Sequence, residues 1–376
     1  MNKRLHILFL CSWYPSRVLP SNGDFIQRHA EAVALLHSVS LIHVITDKNL
    51  KKTLEITDNT SNNVRTLIAY IKQSKNPIAK TYRFIKAYFV LLKRIENFDL
   101  VHLNVIFPAG ILALYLKWFK RKSFIISEHW HGYHKPFCNK IGFTQKILSK
   151  LCAQNAGVIC PVTNNLGEAM QNFGLKGRYH KISNVVDTNL FKPTKKETNT
   201  FNIIHISSMD KVKNVPAILN VIAKLQQTIS EFNFSLIGNN AKDFETLSKE
   251  LGINHKNIVF INQIPQNDLT NYLQQNDVMV LFSTTENAPC VILEAFACGV
   301  PVISTNVGGV SEHFPENFGT LIPKDDSDAL LKTLIDYGNQ TKKFNKKDMH
   351  DYIEQNLSPL IIEKQFTEVY LSALKM

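Results

Sequence analysis

Short runs rich in Ile, Val, Leu and Phe alternate with longer stretches of helical periodicity, and the alternation occurs in two blocks. In the first half the runs are residues 5–11, 40–46, 100–105, 124–127 and 157–161; in the second they are 202–207, 233–238, 257–262, 277–282, 300–304 and 320–323. A short apolar strand, a crossover helix and another such strand form a βαβ unit, so each block predicts a parallel sheet covered by helices. The fold class is therefore α/β, with two doubly wound domains. A chain of 376 residues with 44% hydrophobic content is long enough to bury a core in each. Residues 184–200, with Asp187, Pro193 and a Lys/Thr/Asn stretch, follow neither period and read as the linker. The expected domains are 1–188 and 189–356, closed by a helical segment 357–376 that follows the break at Ser358-Pro359.

Several classes are excluded on composition. Lys3 and Arg4 precede an apolar run, but 5–11 is too short for a signal sequence and has no small-residue cleavage site, so it reads as the first strand. The longer run 100–116 holds His102, Asn104, Pro108 and Gly110, which are costly in lipid, so no membrane span is expected. Cys11, Cys138, Cys152, Cys160, Cys290 and Cys298 show no metal-ligand spacing and read as reduced core residues of a cytoplasmic protein. The net charge of +12 is lopsided: residues 1–190 carry 26 Lys and Arg against 10 Asp and Glu, the remainder 17 against 21. A basic half attracts anionic partners, among them phosphorylated substrates and the inner face of a membrane. Arg83, Lys86 and Lys93 share one face of a helical stretch with Ile85, Phe89 and Leu92 on another, the pattern of a helix packed on a sheet or resting on a bilayer surface. No nucleic-acid motif accompanies the charge, and nucleic acid is not an expected partner.

The most informative stretch is 278–305, which reads strand, loop, helix, strand. The loop is Ser283-Thr284-Thr285-Glu286-Asn287-Ala288-Pro289; Pro289 suits the first helical turn and Gly299 the C-terminal cap, for a helix of about ten residues, roughly 15 Å. The first N–H groups of such a helix and the positive end of its dipole favour an anion such as a pyrophosphate. Glu294 is the only charge between Pro289 and Cys298 on an otherwise apolar helix. An ionised carboxylate in that setting needs donors, and the vicinal hydroxyls of a ribose supply two. Glu286 lies at the carboxyl edge of the strand, where an open α/β sheet places its ligand, and is suited to sugar hydroxyls.

Glu286 and Glu294, with seven residues between them, then Ala295-Phe296-Ala297-Cys298-Gly299-Val300-Pro301-Val302-Ile303 and Val307-Gly308-Gly309-Val310-Ser311-Glu312, resemble the family 4 retaining glycosyltransferases. The likeness extends to Asn184-Val185-Val186-Asp187 before the linker and to the closing helices. The resemblance implies the GT-B fold: two Rossmann-like domains facing a central cleft, the C-terminal helix crossing back to the first domain. It also implies that Glu294 binds the ribose, Glu286 the donor sugar, and the backbone of Asn287, Ala288, Pro289, Cys290 and Val291 the sugar and phosphates.

By the same resemblance Lys213 faces the pyrophosphate, while Ser208 stands where the family has an arginine, with Lys211 a possible substitute. His129, in Ser127-Glu128-His129-Trp130-His131-Gly132, matches the family's cleft histidine, and His131 is the alternative. Gly23 resembles the glycine of the first loop, which approaches donor phosphate. It lacks a G-x-G-x-x-G context, so no nicotinamide cofactor is expected. Asp326-Ser327-Asp328 spells a metal-binding D-x-D, but its place before the helical run 329–337 makes it a cap, and no obligatory metal or other cofactor is expected. The implied reaction moves a sugar from a nucleotide diphosphate sugar to a saccharide, lipid-linked or small-molecule acceptor in surface polysaccharide or glycolipid assembly. A non-catalytic protein of the same fold that binds nucleotide sugar is the second reading, and Ser208 is its support.

Overall fold

The computed structural model describes residues 4–375; Lys3, one of the two cations before the first strand, lies outside them. The chain runs β1 (His6–Cys11), α1 (Asp24–Val33), β2 (Ser38–Asp47), β3 (Leu54–Ser61), β4 (Val64–Lys72), α2 (Pro77–Leu92), β5 (Leu100–Asn104), α3 (Gly110–Lys120), β6 (Phe124–Glu128), α4 (Phe143–Asn155), β7 (Ile159–Pro161) and α5 (Asn164–Asn172). It continues with β8 (Phe201–Ser207), α6 (Val215–Leu225), β9 (Phe232–Gly238), α7 (Glu245–Glu250), β10 (Ile258–Asn262), α8 (Gln266–Gln274), β11 (Val278–Leu281), α9 (Cys290–Ala297), β12 (Val302–Thr305), β13 (Gly319–Ile322), α10 (Ser327–Gly338), α11 (Lys346–Leu357) and α12 (Pro359–Leu374). Among the described residues no helix is long and apolar enough to cross a membrane.

Two compact units result. One holds the chain up to Val185 together with the segment from Pro359 onward; the other is Val186–Ser358. The division falls three residues before the expected boundary at 188. Val186 already belongs to the second unit, its N–H donating to the Leu357 carbonyl at 3.0 Å, and Asp187 caps the turn that follows through Asn189 N. At the far end, Leu357 and Ser358 remain with the second unit and the helix that leaves it starts at Pro359.

The first unit has a seven-stranded sheet in the order β3-β4-β2-β1-β5-β6-β7, and the second a six-stranded sheet in the order β10-β9-β8-β11-β12-β13. Every expected strand is present. The first sheet also holds the hairpin β3–β4, which the sequence reading missed: β3 is antiparallel to β4, while β4 runs parallel to β2. Its turn, Asn62-Asn63, has positive φ at both positions (48° and 61°), a geometry asparagine tolerates. Central strands β1, β5 and β6 are buried, whereas the outer half of β3 is exposed and carries Asp58 at the sheet edge.

Helix α12 closes the first unit against α1, burying Phe366, Val369 and Tyr370. Polar bonds fix its register: His102 Nδ1 lies 2.8 Å from the Tyr370 hydroxyl and His37 Nε2 lies 2.7 Å from Thr367 Oγ1. In the second unit Phe234, Leu236, Val280 and Ile303 from the sheet pack against Ile218, Ile222 and Leu334 of the helices. The cysteine expectation needs a correction, since Cys11, Cys152, Cys160 and Cys298 are buried but Cys138 and Cys290, the latter the first residue of α9, are half-buried.

Candidate functional site

In the second unit three loops at the carboxyl ends of β8, β11 and β12 meet. Thr284 N donates to Val212 O at 2.8 Å, tying the β11 loop to the β8 loop. Thr305 Oγ1 donates to Ser283 O at 2.6 Å, tying it to β12. Gly308 presses on the same loop: its φ is +59°, and a Cβ there would stand 1.8 Å from the Glu286 carbonyl oxygen. Only glycine permits both the left-handed backbone and that approach. The Val307-Gly308-Gly309 sequence thus braces the segment that carries Glu286.

Glu286 is held at one oxygen. Lys213 Nζ and Ser283 Oγ both donate to Oε1 at 2.6 Å, leaving Oε2 without a partner among the described residues. Its side chain is only 8% exposed, so it is not the solvated carboxylate that loop residues usually carry. Lys213, which the resemblance expects to face the pyrophosphate, is one half of an ion pair with Glu286. It retains two further N–H donors. Ser208 lies just past the end of β8, exposed, its Oγ donating to Asp210 Oδ2 at 2.7 Å; Lys211 beside it is also exposed.

Helix α9 is eight residues long, shorter than the ten expected, and Pro289 is its N-cap rather than a residue of its first turn. Pro289 offers no side-chain cap. Gly299 follows the C-terminal Cys298 with φ +71°, as expected for that position. Glu294 is 3% exposed within this apolar helix, and Gln266, the first residue of α8, donates Nε2 to its Oε1 at 2.9 Å. Residues 287–291 are half-buried, between Glu286 and the helix body. The loop after β8 is shaped by His205, buried and pushed down to about 4 by desolvation; its Nε2 lies 2.8 Å from Ser207 Oγ, which accepts from Met209 N at 3.1 Å. Asp326, of the D-x-D sequence, accepts from Ala329 N at 2.9 Å and caps α10.

In the first unit His129 follows β6. The residue is 8% exposed, and its ring stacks on Phe25 at 4.3 Å and lies 5.4 Å from the ring of His29. Desolvation, reinforced by neighbouring His29 and His102, holds its pKa well below the usual value, so it is neutral at pH 7. Phe25 is the second residue of α1, whose N-cap is Gly23 with φ +78°; a Cβ there would lie 2.9 Å from the Trp13 carbonyl carbon. Gly23 and His129 are thus brought to the same end of the first unit. His131 is exposed and turns its ring toward Phe137.

Two residues escaped the sequence reading as site components. Gln266 gave no signal because it reaches Glu294 across 28 positions. Glu128 stands in the His129 motif, where nothing local marks it as a site residue. It is fully buried, accepting from His129 N at 2.9 Å, Trp130 N at 3.0 Å and Ile106 N at 3.1 Å, so it joins the His129 loop to the loop after β5. Burial pushes its pKa up to about 7 against the three N–H bonds that pull it down.

Residues 186–356 match the model for glycosyl transferases group 1, and residues 26–190 match that for glycosyltransferase family 4. The chain belongs to the family 4 glycosyltransferases. This glycosyltransferase is 26% identical over 306 residues to an uncharacterized 41.2 kDa protein in the cps region of Klebsiella pneumoniae, covering 71% of this chain and 81% of that protein. It is 28% identical over 269 residues to the capsular polysaccharide biosynthesis glycosyltransferase CapH of Staphylococcus aureus, covering 67% of this chain and 72% of that one. Among solved structures it is similar to Anabaena HepE, with TM-score 0.74 at 18% identity over 97% of this chain and 99% of that one. That likeness shows the fold class, GT-B, with a Rossmann-like sheet in each unit.

Proposed function

We propose that this glycosyltransferase moves a sugar from a nucleoside diphosphate sugar to an acceptor hydroxyl with retention of anomeric configuration. The observation that carries the reading is Glu294, a carboxylate buried on an apolar helix just inside that helix's electropositive end. Beside the Gln266 amide that donates to its Oε1, the carboxylate takes the hydroxyls of a ribose, with the diphosphate at the start of α9 and the sugar beside Glu286. The structure of Anabaena HepE holding UDP-glucose supports a donor of this class.

In this account residues 287–291 cradle the phosphates and sugar, and Lys213 keeps its bond to Glu286 while its remaining N–H groups meet the departing phosphate. Oε2 of Glu286 accepts from sugar hydroxyls. His129, neutral, holds a sugar hydroxyl as a hydrogen-bonding group rather than as a cation. The acceptor attacks on the face the phosphate leaves, and the phosphate oxygen takes the acceptor proton. Orientation and electrostatic stabilisation of the leaving group supply the rate, with helix dipole and Lys213 in place of an obligatory metal. Gly23 admits the donor phosphate close to the backbone, and Ser208 leaves one position without the usual cation.

The acceptor is a saccharide, a lipid-linked saccharide or a small-molecule hydroxyl, and similarity to CapH supports a role in surface polysaccharide or glycolipid synthesis. The site of action is the cytoplasm, at the inner face of the membrane. Replacing Glu286→Gln should lower transfer from a radiolabelled donor by at least about 100-fold in a variant that still folds and binds nucleotide; turnover at the wild-type rate would remove the assigned role. A nucleotide-sugar-binding protein without transferase activity is the second reading, favoured by Ser208. A donor-hydrolysis assay of the wild type separates the two.

A further inference from the structure

In the first unit the chain steps one way across the sheet from β1 to β2, and the other way from β4 to β5, β5 to β6 and β6 to β7. Right-handed crossovers then put α1 on one face and α2, α3 and α4 together on the opposite one. The three helices are neighbours: Phe89 of α2 meets Tyr115 of α3 at 4.9 Å between ring centres, and α3 packs on α4 with Trp118 Nε1 donating to Asn155 Oδ1 at 3.2 Å.

This layer has an unusual outer surface. Helix α2 buries Ala87, Tyr88 and Leu91 against the sheet, not the face of Ile85, Phe89 and Leu92 that the sequence suggests. That rotation turns Ile78 (79% exposed) and Tyr82 outward. Helix α3 exposes Trp118 and Phe119 (72%), and α4 exposes Phe143 (77%) and Ile147. Around them the three helices carry seven Lys or Arg, three from α2 and two each from α3 and α4, and no Asp or Glu at all. Helices α1 and α12, on the other face, carry four acids against two bases. The +16 of residues 1–190 is therefore directional.

We infer that the outer face of α2, α3 and α4 is a docking surface for an anionic lipid bilayer. The exposed aromatic and aliphatic side chains enter the headgroup region, and the lysines around them meet lipid phosphates. Charge decides between occupants. A second copy packed face to face would set seven cations against seven with no acid to offset them. A nucleic acid would leave Ile78 and Ile147 facing polar groups. An anionic bilayer satisfies both the charge and the apolar side chains. The inference deepens the membrane placement proposed above, yet it is read without donor or acceptor, so either can fail while the other stands.

The test is co-sedimentation of the full chain with vesicles of phosphatidylcholine alone and of phosphatidylcholine mixed with phosphatidylglycerol. Binding is expected only to the mixed vesicles, and it should be lost near 1 M salt, where the screening length is about 3 Å. The triple variant Ile78→Glu, Phe119→Glu, Phe143→Glu should lower partitioning at least about tenfold. Lys80→Glu, Lys86→Glu, Lys120→Glu should lower it roughly 100-fold. All six side chains are exposed, so melting temperatures should match the wild type. Equal binding to both vesicle types, binding to neither, or wild-type partitioning of both variants would overturn the inference. So would a salt-resistant dimer in sedimentation velocity that Phe119→Glu dissociates, which would assign the face to a second copy.

Discussion

The Glu128 carboxyl accepts three backbone N–H bonds and is still pushed up from 4.5 to about 7, because no part of it reaches water. The folded chain thus holds a proton that the unfolded chain releases. The stability this carboxyl contributes is complete below about pH 4.5 and is lost as pH rises through 7, by about 3 kcal/mol in all. Urea unfolding across that range should show the loss in the wild type and not in Glu128→Gln; parallel pH profiles would contradict it. Buried His29 and His43, pushed down to about 4, act with the opposite sign in both proteins, so comparing the two cancels them. Glu286 and Glu294 were legible in the sequence because a charge in an apolar run, or at a strand's carboxyl edge, stands out locally. Glu128 and Gln266 were not, because the link Glu128 makes to the Ile106 loop and the one Gln266 makes to Glu294 span 22 and 28 residues.

At the scale of elements, the loop that presents Glu286 depends on a glycine that touches no ligand. Gly308→Ala must place a methyl group against the Glu286 carbonyl and hold alanine at φ +59°. Two penalties of this kind should lower the second unit's melting temperature by roughly 4–8 °C and weaken donor binding at the same time. An unchanged melting temperature in calorimetry would mean the loop shifts freely and is not braced there. Strands and helices were readable because burial on both faces and the 3.6-residue period leave marks within a few residues. The β3–β4 hairpin was not, since its edge strand is polar and its turn uses Asn62-Asn63 rather than a glycine. The start of α9 shifted because Pro289 serves as well before a helix as within its first turn.

At the scale of the molecule, the last helix belongs to the first unit although it follows the second in sequence. Phe366 is wholly buried there, with its ring 5.1 Å from His29 and 4.9 Å from His102. Phe366→Ala should cost about 3–5 kcal/mol, and calorimetry should show the loss in the transition that nucleotide does not raise. A loss in the nucleotide-sensitive transition instead would contradict the division of the core. The proposed function rests on Glu294 gripping a nucleoside, and titration calorimetry of the full chain with UDP, GDP and ADP tests that most directly. At least one should bind with saturable heat, and Glu294→Ala should weaken it at least about tenfold. A variant that binds the same nucleotide as tightly as the wild type would contradict the account.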